Sequence, residues 1–182
     1  MTTLSMIDPA TAEPRARALL GGVQKKFGTI PNLMRVLAGN PAALGAYLNF
    51  SGALAGGKLG AKLHEQIALT VAEANGCDYC LAAHTQLGKR VGLGAMDILS
   101  ARVGTSSDER VTAALAFVRK LVACQGRVSP DDIAQAKAAG LDDAEVVEIV
   151  AVVAISLFTN YLSLAASPEV DFPPVKKLAG AA

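Results

Sequence analysis

Apolar residues recur at three- and four-residue spacings along most of the chain, and glycine, proline and small polar residues cut that pattern into segments. Pro14 stands where a first helical turn can begin, and residues 15–27 follow with Ala18, Leu19 and Val23 apolar. Gly28 to Asn32 breaks the run, a short helix reaches Leu37, and Gly39-Asn40-Pro41 restarts the chain into a helix over 41–55. After Gly56-Gly57 the pattern predicts a helix over 59–74, a stop at Asn75-Gly76 and an immediate restart over 77–91. Gly92 and Gly94 precede a short helix over 95–101, and Ser107 or Asp108 caps one running to about Cys124. Ser129-Pro130-Asp131-Asp132 combines a capping hydroxyl, a proline at the first helical position and acids in the first turn. Gly140 ends that helix, and Asp142 with Glu145 resembles a capping box opening the last one, to about Ala165. Pro168, Pro173 and Pro174 make the tail irregular. With no convincing strand or repeat, the expectation is an all-α single domain over 1–182, its core at about 15–165 and its tail at 166–182.

The longest apolar stretch, Ile149 to Ala166, approaches the length of a membrane span. Ser156, Thr159, Asn160, Tyr161 and Ser163 interrupt it, Glu145 and Glu148 precede it, and Asn160 in lipid would be costly without a partner. The expectation is therefore no membrane crossing but a buried helix at a subunit contact. A mean hydropathy of +0.37 fits that picture. Apolar residues are 52% of the chain but aromatics only 4%, so Ala, Leu and Val carry the hydrophobicity and favour packed helices over a sandwich or barrel. The N-terminal stretch lacks a basic region followed by an apolar one, which predicts a cytoplasmic protein without a signal peptide. Seventeen basic against sixteen acidic residues leave a net charge of +1, which offers no footprint for nucleic acid. The pairs Lys25-Lys26 and Lys176-Lys177 read as solvated ends.

Of three cysteines, two form Cys77-Asp78-Tyr79-Cys80 and the third is Cys124. Structural disulfides are rare in the cytosol, so a CxxC there points to redox or metal chemistry. On a helix Cys77 and Cys80 are i, i+3 neighbours and His84 is i+4 from Cys80, which places all three on one face. A thiol in a first helical turn meets unpaired N–H groups and the positive end of the dipole, and both favour thiolate over a thiol whose ordinary pKa is about 8.5. His84 can take the proton. Helical i, i+3 Cβ atoms lie roughly 5–6 Å apart, whereas a disulfide needs about 3.8 Å, so the pair must close slightly at a frayed first turn. Glu65, on the preceding helix, can face His84 across a hairpin turning at Asn75-Gly76 and orient the imidazole.

Glu65, eleven residues, Cys77-x-x-Cys80, three residues and His84 together resemble the signature of the AhpD-like alkylhydroperoxidase and carboxymuconolactone decarboxylase superfamily. Gly28 to Met34, Asn40-Pro41 and Phe158-Thr159-Asn160-Tyr161 resemble its peroxidase-related branch. The resemblance covers roughly residues 15–165. It implies an all-α fold around a helix hairpin, assembled as a homo-oligomer, trimer or hexamer. It implies Cys80 as the peroxide-attacking thiolate, Cys77 as the resolving cysteine, and His84 and Glu65 as a proton relay. The substrate would be a hydroperoxide and the reductant a lipoyl- or thioredoxin-type dithiol. A redox-active disulfide would serve in place of any bound cofactor or metal. Tyr79 departs from the AhpD pattern, which has a histidine between the cysteines, and can instead gate the site or pack against it.

Other readings of the same residues stay open at this point. Cys77, Cys80 and His84, with Cys124 or His64, supply the ligand count of a zinc site, though not its usual spacing. His64 reads as an ordinary helix residue, Cys124 as a small buried hydrophobe and Asn160 as an interhelical hydrogen-bonder. Glu73 is a second candidate carboxylate, set unfavourably near a helix C-terminus. A carboxymuconolactone-decarboxylase-like lyase, which does not need the CxxC, and a redox-sensing helical oligomer without turnover are the alternative functions.

Overall fold

The computed structural model describes residues 2–176 and 178, and these form nine α-helices and no strand. In chain order they are α1 (Pro14–Phe27), α2 (Asn32–Leu37), α3 (Pro41–Leu54), α4 (Gly60–Ala74), α5 (Asp78–Arg90), α6 (Ala95–Arg102), α7 (Glu109–Ala123), α8 (Pro130–Ala138) and α9 (Asp143–Ala166). The caps follow the local chemistry. The Asn40 carboxamide oxygen accepts from the amides of Ala42 and Ala43, and Asp108, not Ser107, caps α7. Capping boxes open α8 at Ser129/Asp132 and α9 at Asp142/Glu145. Lys177 of the basic pair near the C-terminus lies outside the described residues.

The core is organised around α4. Gln66, Ile67, Ala68, Leu69, Thr70, Val71 and Ala72 are all buried, a run with no solvent face. α5, α6, α7 and α9 pack around it. The start of α4 has no side-chain cap of its own. Glu148 of α9 supplies one from outside, accepting from the amides of Lys58 and Leu59 at 2.7 and 3.3 Å. A side chain at Gly57 would collide with that carboxylate.

Only three residues, Asn75 to Cys77, join α4 to α5. Gly76 takes φ +62, Cys77 N–H donates to the Ala72 carbonyl at 3.0 Å, and Gly76 N–H donates to that of Glu73 at 3.1 Å. Asn160 is fully buried on α9 and its side-chain oxygen accepts from Asn75 at 3.1 Å, which ties α9 to this turn. The opposite side of α9 carries exposed Val147, Val150, Phe158, Tyr161 and Leu164. By length and composition α9 could cross a membrane, but half of its most apolar window is buried inside the fold. A Cβ at Gly76 would meet no atom, so Gly76→Ala reports backbone conformation alone. It should lower unfolding free energy by about 1–2 kcal/mol, measured by urea denaturation of the oxidised protein.

Candidate active site

Cys77 has two structural duties. It is the residue whose amide closes α4, and with φ −86 and ψ 90 it is also the N-cap of α5. Its Sγ accepts from the Cys80 amide at 3.3 Å, as a capping oxygen would. The expectation that both cysteines lie in the first turn holds for Cys80 only. Cys77 sits one step outside, because its extended dihedrals make it the last of the three residues that join α4 to α5. That step also solves the spacing problem. The two Cα atoms are 5.3 Å apart and the sulfurs are joined as a disulfide. Both side chains are buried.

Glu65 and His84 meet across the hairpin, His84 Nδ1 lying 2.7 Å from Glu65 Oε2. An Nδ1–H donated to a carboxylate fixes the tautomer and leaves Nε2 to accept or release a proton. Glu65 is also approached by His64, whose Nδ1 is 4.0 Å from Oε1. The two histidines of the chain thus share one carboxylate. His64 is more than the ordinary helix residue its sequence suggests: its Nε2 is buried without a hydrogen-bond partner. Burial lowers its pKa below the ordinary histidine value, and the nearby Glu65 carboxylate offsets part of that shift. Tyr47 stands over the same carboxylate. Burial first, and the Glu65 charge second, push its hydroxyl up to about 12, so it stays protonated.

Cys80 and His84 open into one cavity of about 500 Å³. Phe27, Leu33, Met34, Tyr47, Leu87 and Phe172 give it mainly apolar walls. Cys77 does not line it. A smaller cavity of about 280 Å³ lies on the other side of His84 and is lined by His64, Glu65 and Tyr47. Tyr79 is buried, and its hydroxyl donates to Asp171 Oδ1 at 2.7 Å and accepts from the Leu33 amide at 3.0 Å. Desolvation and the Asp171 carboxylate raise its pKa, so it too is a neutral donor.

Several sequence expectations change. Glu73 is no candidate base, because it pairs with Arg102 Nε at 2.6 Å in a nearly buried ion pair. Cys124 is not a buried hydrophobe but a half-exposed free thiol at the end of α7. Among the described residues no three His, Cys, Asp or Glu side chains converge on a point where a metal could sit, so Cys124 and His64 do not join the CxxC as ligands. Asn160 is the interhelical hydrogen-bonder that its polarity in an apolar helix suggested. Sequence reasoning missed Asp171 and Phe172, which lie in a proline-rich tail without periodicity. It passed over His64, although adjacency to Glu65 in a chain with two histidines was a readable signal.

Residues 41–123, which span α3 to α7 and hold Glu65, both site cysteines and His84, match the carboxymuconolactone decarboxylase family. A peroxidase-related protein from Silicibacter sp. TM1040 shares the fold with a TM-score of 0.78 and 25% identity, over 98% of this chain and 93% of its own. Residues 41–123 thus carry the carboxymuconolactone decarboxylase family pattern, on an AhpD-like fold. An AhpD-core peroxidase-related protein from Ralstonia eutropha JMP134 aligns with a TM-score of 0.80 at 23% identity, over 96% of this chain and 93% of its own. The debrominase Bmp8, solved in complex with 2,3,4-tribromopyrrole, aligns with a TM-score of 0.78 at 21% identity, over 94% of this chain and 92% of its own. No curated protein matches the chain.

The buried His64 generates a pH dependence. Its folded pKa is lowered, so the unfolded chain binds the proton more readily, and stability falls as pH drops through the ordinary value of about 6.5. The lowered carboxyls of Asp132, Asp142 and Glu145 titrate below the ordinary carboxylate range and leave the window from about pH 7 to pH 5 to histidine. Urea unfolding across that window should show a loss of stability, and the loss should be smaller in His64→Gln.

Proposed function

We propose that this chain is a thiol-dependent hydroperoxide reductase that cycles between the Cys77–Cys80 disulfide and the dithiol. The observation that carries the reading is the division of the pair. Cys80 faces a cavity that His84 also lines, whereas Cys77 lies behind it within bonding distance. In the reduced state the first-turn amides and the positive end of α5 favour the Cys80 thiolate. The thiolate attacks the terminal peroxide oxygen and the O–O bond breaks. The alkoxide leaves and takes a proton from the His84 imidazolium, which Glu65 stabilises, and Cys80 is left as a sulfenic acid. The Cys77 thiol then attacks the sulfenic sulfur, forming the disulfide and releasing water. A lipoyl- or thioredoxin-type dithiol returns two electrons and two protons by exchange.

The same reading makes the protein soluble and cytoplasmic, with no nucleic-acid or membrane partner. It would be a trimer or hexamer that covers the exposed apolar side of α9. Apart from the redox-active disulfide it uses no bound cofactor. A dithiol beside an aromatic-lined cavity also suits reductive removal of bromine from an aromatic ring, the second reading, because the debrominase shares the fold. Lyase chemistry on a lactone acid is a weaker fit, since nothing in it employs the paired sulfurs.

Peroxide consumption with dithiothreitol as reductant tests the proposal. Cys80→Ser should lose it. Cys77→Ser should give one stoichiometric oxidation to a sulfenic acid and then stall. Glu65→Gln should lower turnover by roughly two orders of magnitude, as expected for a lost relay. Consumption by Cys80→Ser at the wild-type rate would sink the assignment.

A further inference from the structure

Beyond α9 the chain does not trail away. Ser167 turns it with φ 46, and the following residues run back across the bundle to the mouth of the Cys80 cavity. Three contacts hold this strap at the N-terminus of α2 and at α5. Asn32 Nδ2 donates to the Glu169 carbonyl at 3.1 Å. The Asn32 amide donates to Asp171 Oδ2 at 2.8 Å. Tyr79 donates to Asp171 Oδ1 at 2.7 Å. Both carboxylate oxygens of Asp171 are therefore engaged, one by Tyr79 and one by the first residue of α2. The Phe172 ring stands edge-on to Tyr79, with centroids 5.6 Å apart and planes at 88°. Asp171, Phe172 and Pro173 line the cavity together with Cys80 and His84.

We propose that the strap at residues 169–173 is the outer wall of the substrate site, and that Tyr79, through Asp171, is the positioning residue that holds it. The wall selects bulky, apolar organic hydroperoxides over hydrogen peroxide. This rests on the peroxidase reading, and it gives Tyr79 a task other than proton relay. A tyrosine hydroxyl held protonated by burial can donate to Asp171 at any physiological pH, but is ill-suited to shuttle protons. The strap residue that touches substrate is Phe172. A cavity of about 500 Å³ has room for a phenyl-bearing peroxide, and hydrogen peroxide would leave most of its apolar wall unused.

The test uses Tyr79→Phe, which keeps the ring but removes the hydroxyl donor, and Phe172→Ala, which removes the wall but leaves the Asp171 bonds. Steady-state kinetics with cumene hydroperoxide and with hydrogen peroxide give the selectivity ratio of kcat/KM. In both variants that ratio should fall at least about fivefold, mainly through a higher KM for cumene hydroperoxide, the loss expected when one apolar contact surface is removed. A ratio within about twofold of the wild type in both variants would overturn the proposal. Binding of 2-phenyl-2-propanol, the alcohol product, to the oxidised protein provides a second reading by calorimetry that needs no turnover. If the wild type consumes neither peroxide, the peroxidase reading falls by itself and this binding decides on the wall. Affinity at least about fivefold weaker in Phe172→Ala upholds it, and equal affinity, or no binding to the wild type, overturns it.

Discussion

A carboxylate on a helix with almost no solvent face must have a partner, and much of this molecule answers that constraint. α4 is surrounded by α5, α6, α7 and α9, and Glu65 lies on it with its side chain 13% exposed. An unpaired charge there would cost several kcal/mol. The hairpin brings His84 to it at 2.7 Å, and that bond is possible only because α5 starts immediately beside the end of α4. Gly76 in the left-handed region and the two amide bonds that close α4 set this proximity. The Glu65–His84 contact is thus a consequence of how one buried helix ends.

The same turn separates the two sulfurs by position. Cys77 is consumed by the joint: it ends one helix, caps the next and is turned away from the cavity. Cys80, two residues inside α5, gains the positive end of the helix dipole and a wall of the cavity. Their chemical asymmetry needs no difference in residue type, only a difference of register at a helix start. The rest of the fold keeps this joint from loosening. Asn160 holds Asn75 from α9, and Glu148, one helical face away on α9, caps the beginning of α4. One long helix therefore fixes both ends of the helix that carries Glu65.

Where the chemistry is local, the sequence made it legible. Glycine and proline punctuation, capping boxes and the spacing from Glu65 through Cys77 and Cys80 to His84 depend on neighbours a few residues away or on a hairpin of known geometry. They placed the helices and the Glu65–His84 contact. What could not be read depends on distant segments meeting. Glu73 is engaged by Arg102, 29 residues on, a pairing that no local pattern announces. Asp171 and Phe172 sit 92 and 93 residues from Tyr79, in a stretch whose prolines erase any period. Hydrophobic pattern does not distinguish a cap from a first turn, and Cys77 is the cap.

Tyr79 shows how these levels interact. Its position between the cysteines is dictated by the motif, and at the second residue of α5 its side chain is carried away from Glu65 and His84 toward α2 and the returning tail. A protonated imidazole in that place could donate to Asp171 but could not accept from the Leu33 amide, because both of its ring nitrogens would be donors. A neutral hydroxyl satisfies both groups, donating to one and accepting from the other. Tyrosine also supplies an apolar face against Phe172. The departure from the AhpD pattern is therefore matched by partners that suit the residue present: an acceptor at one end of the strap, a donor on α2 and a ring to pack against.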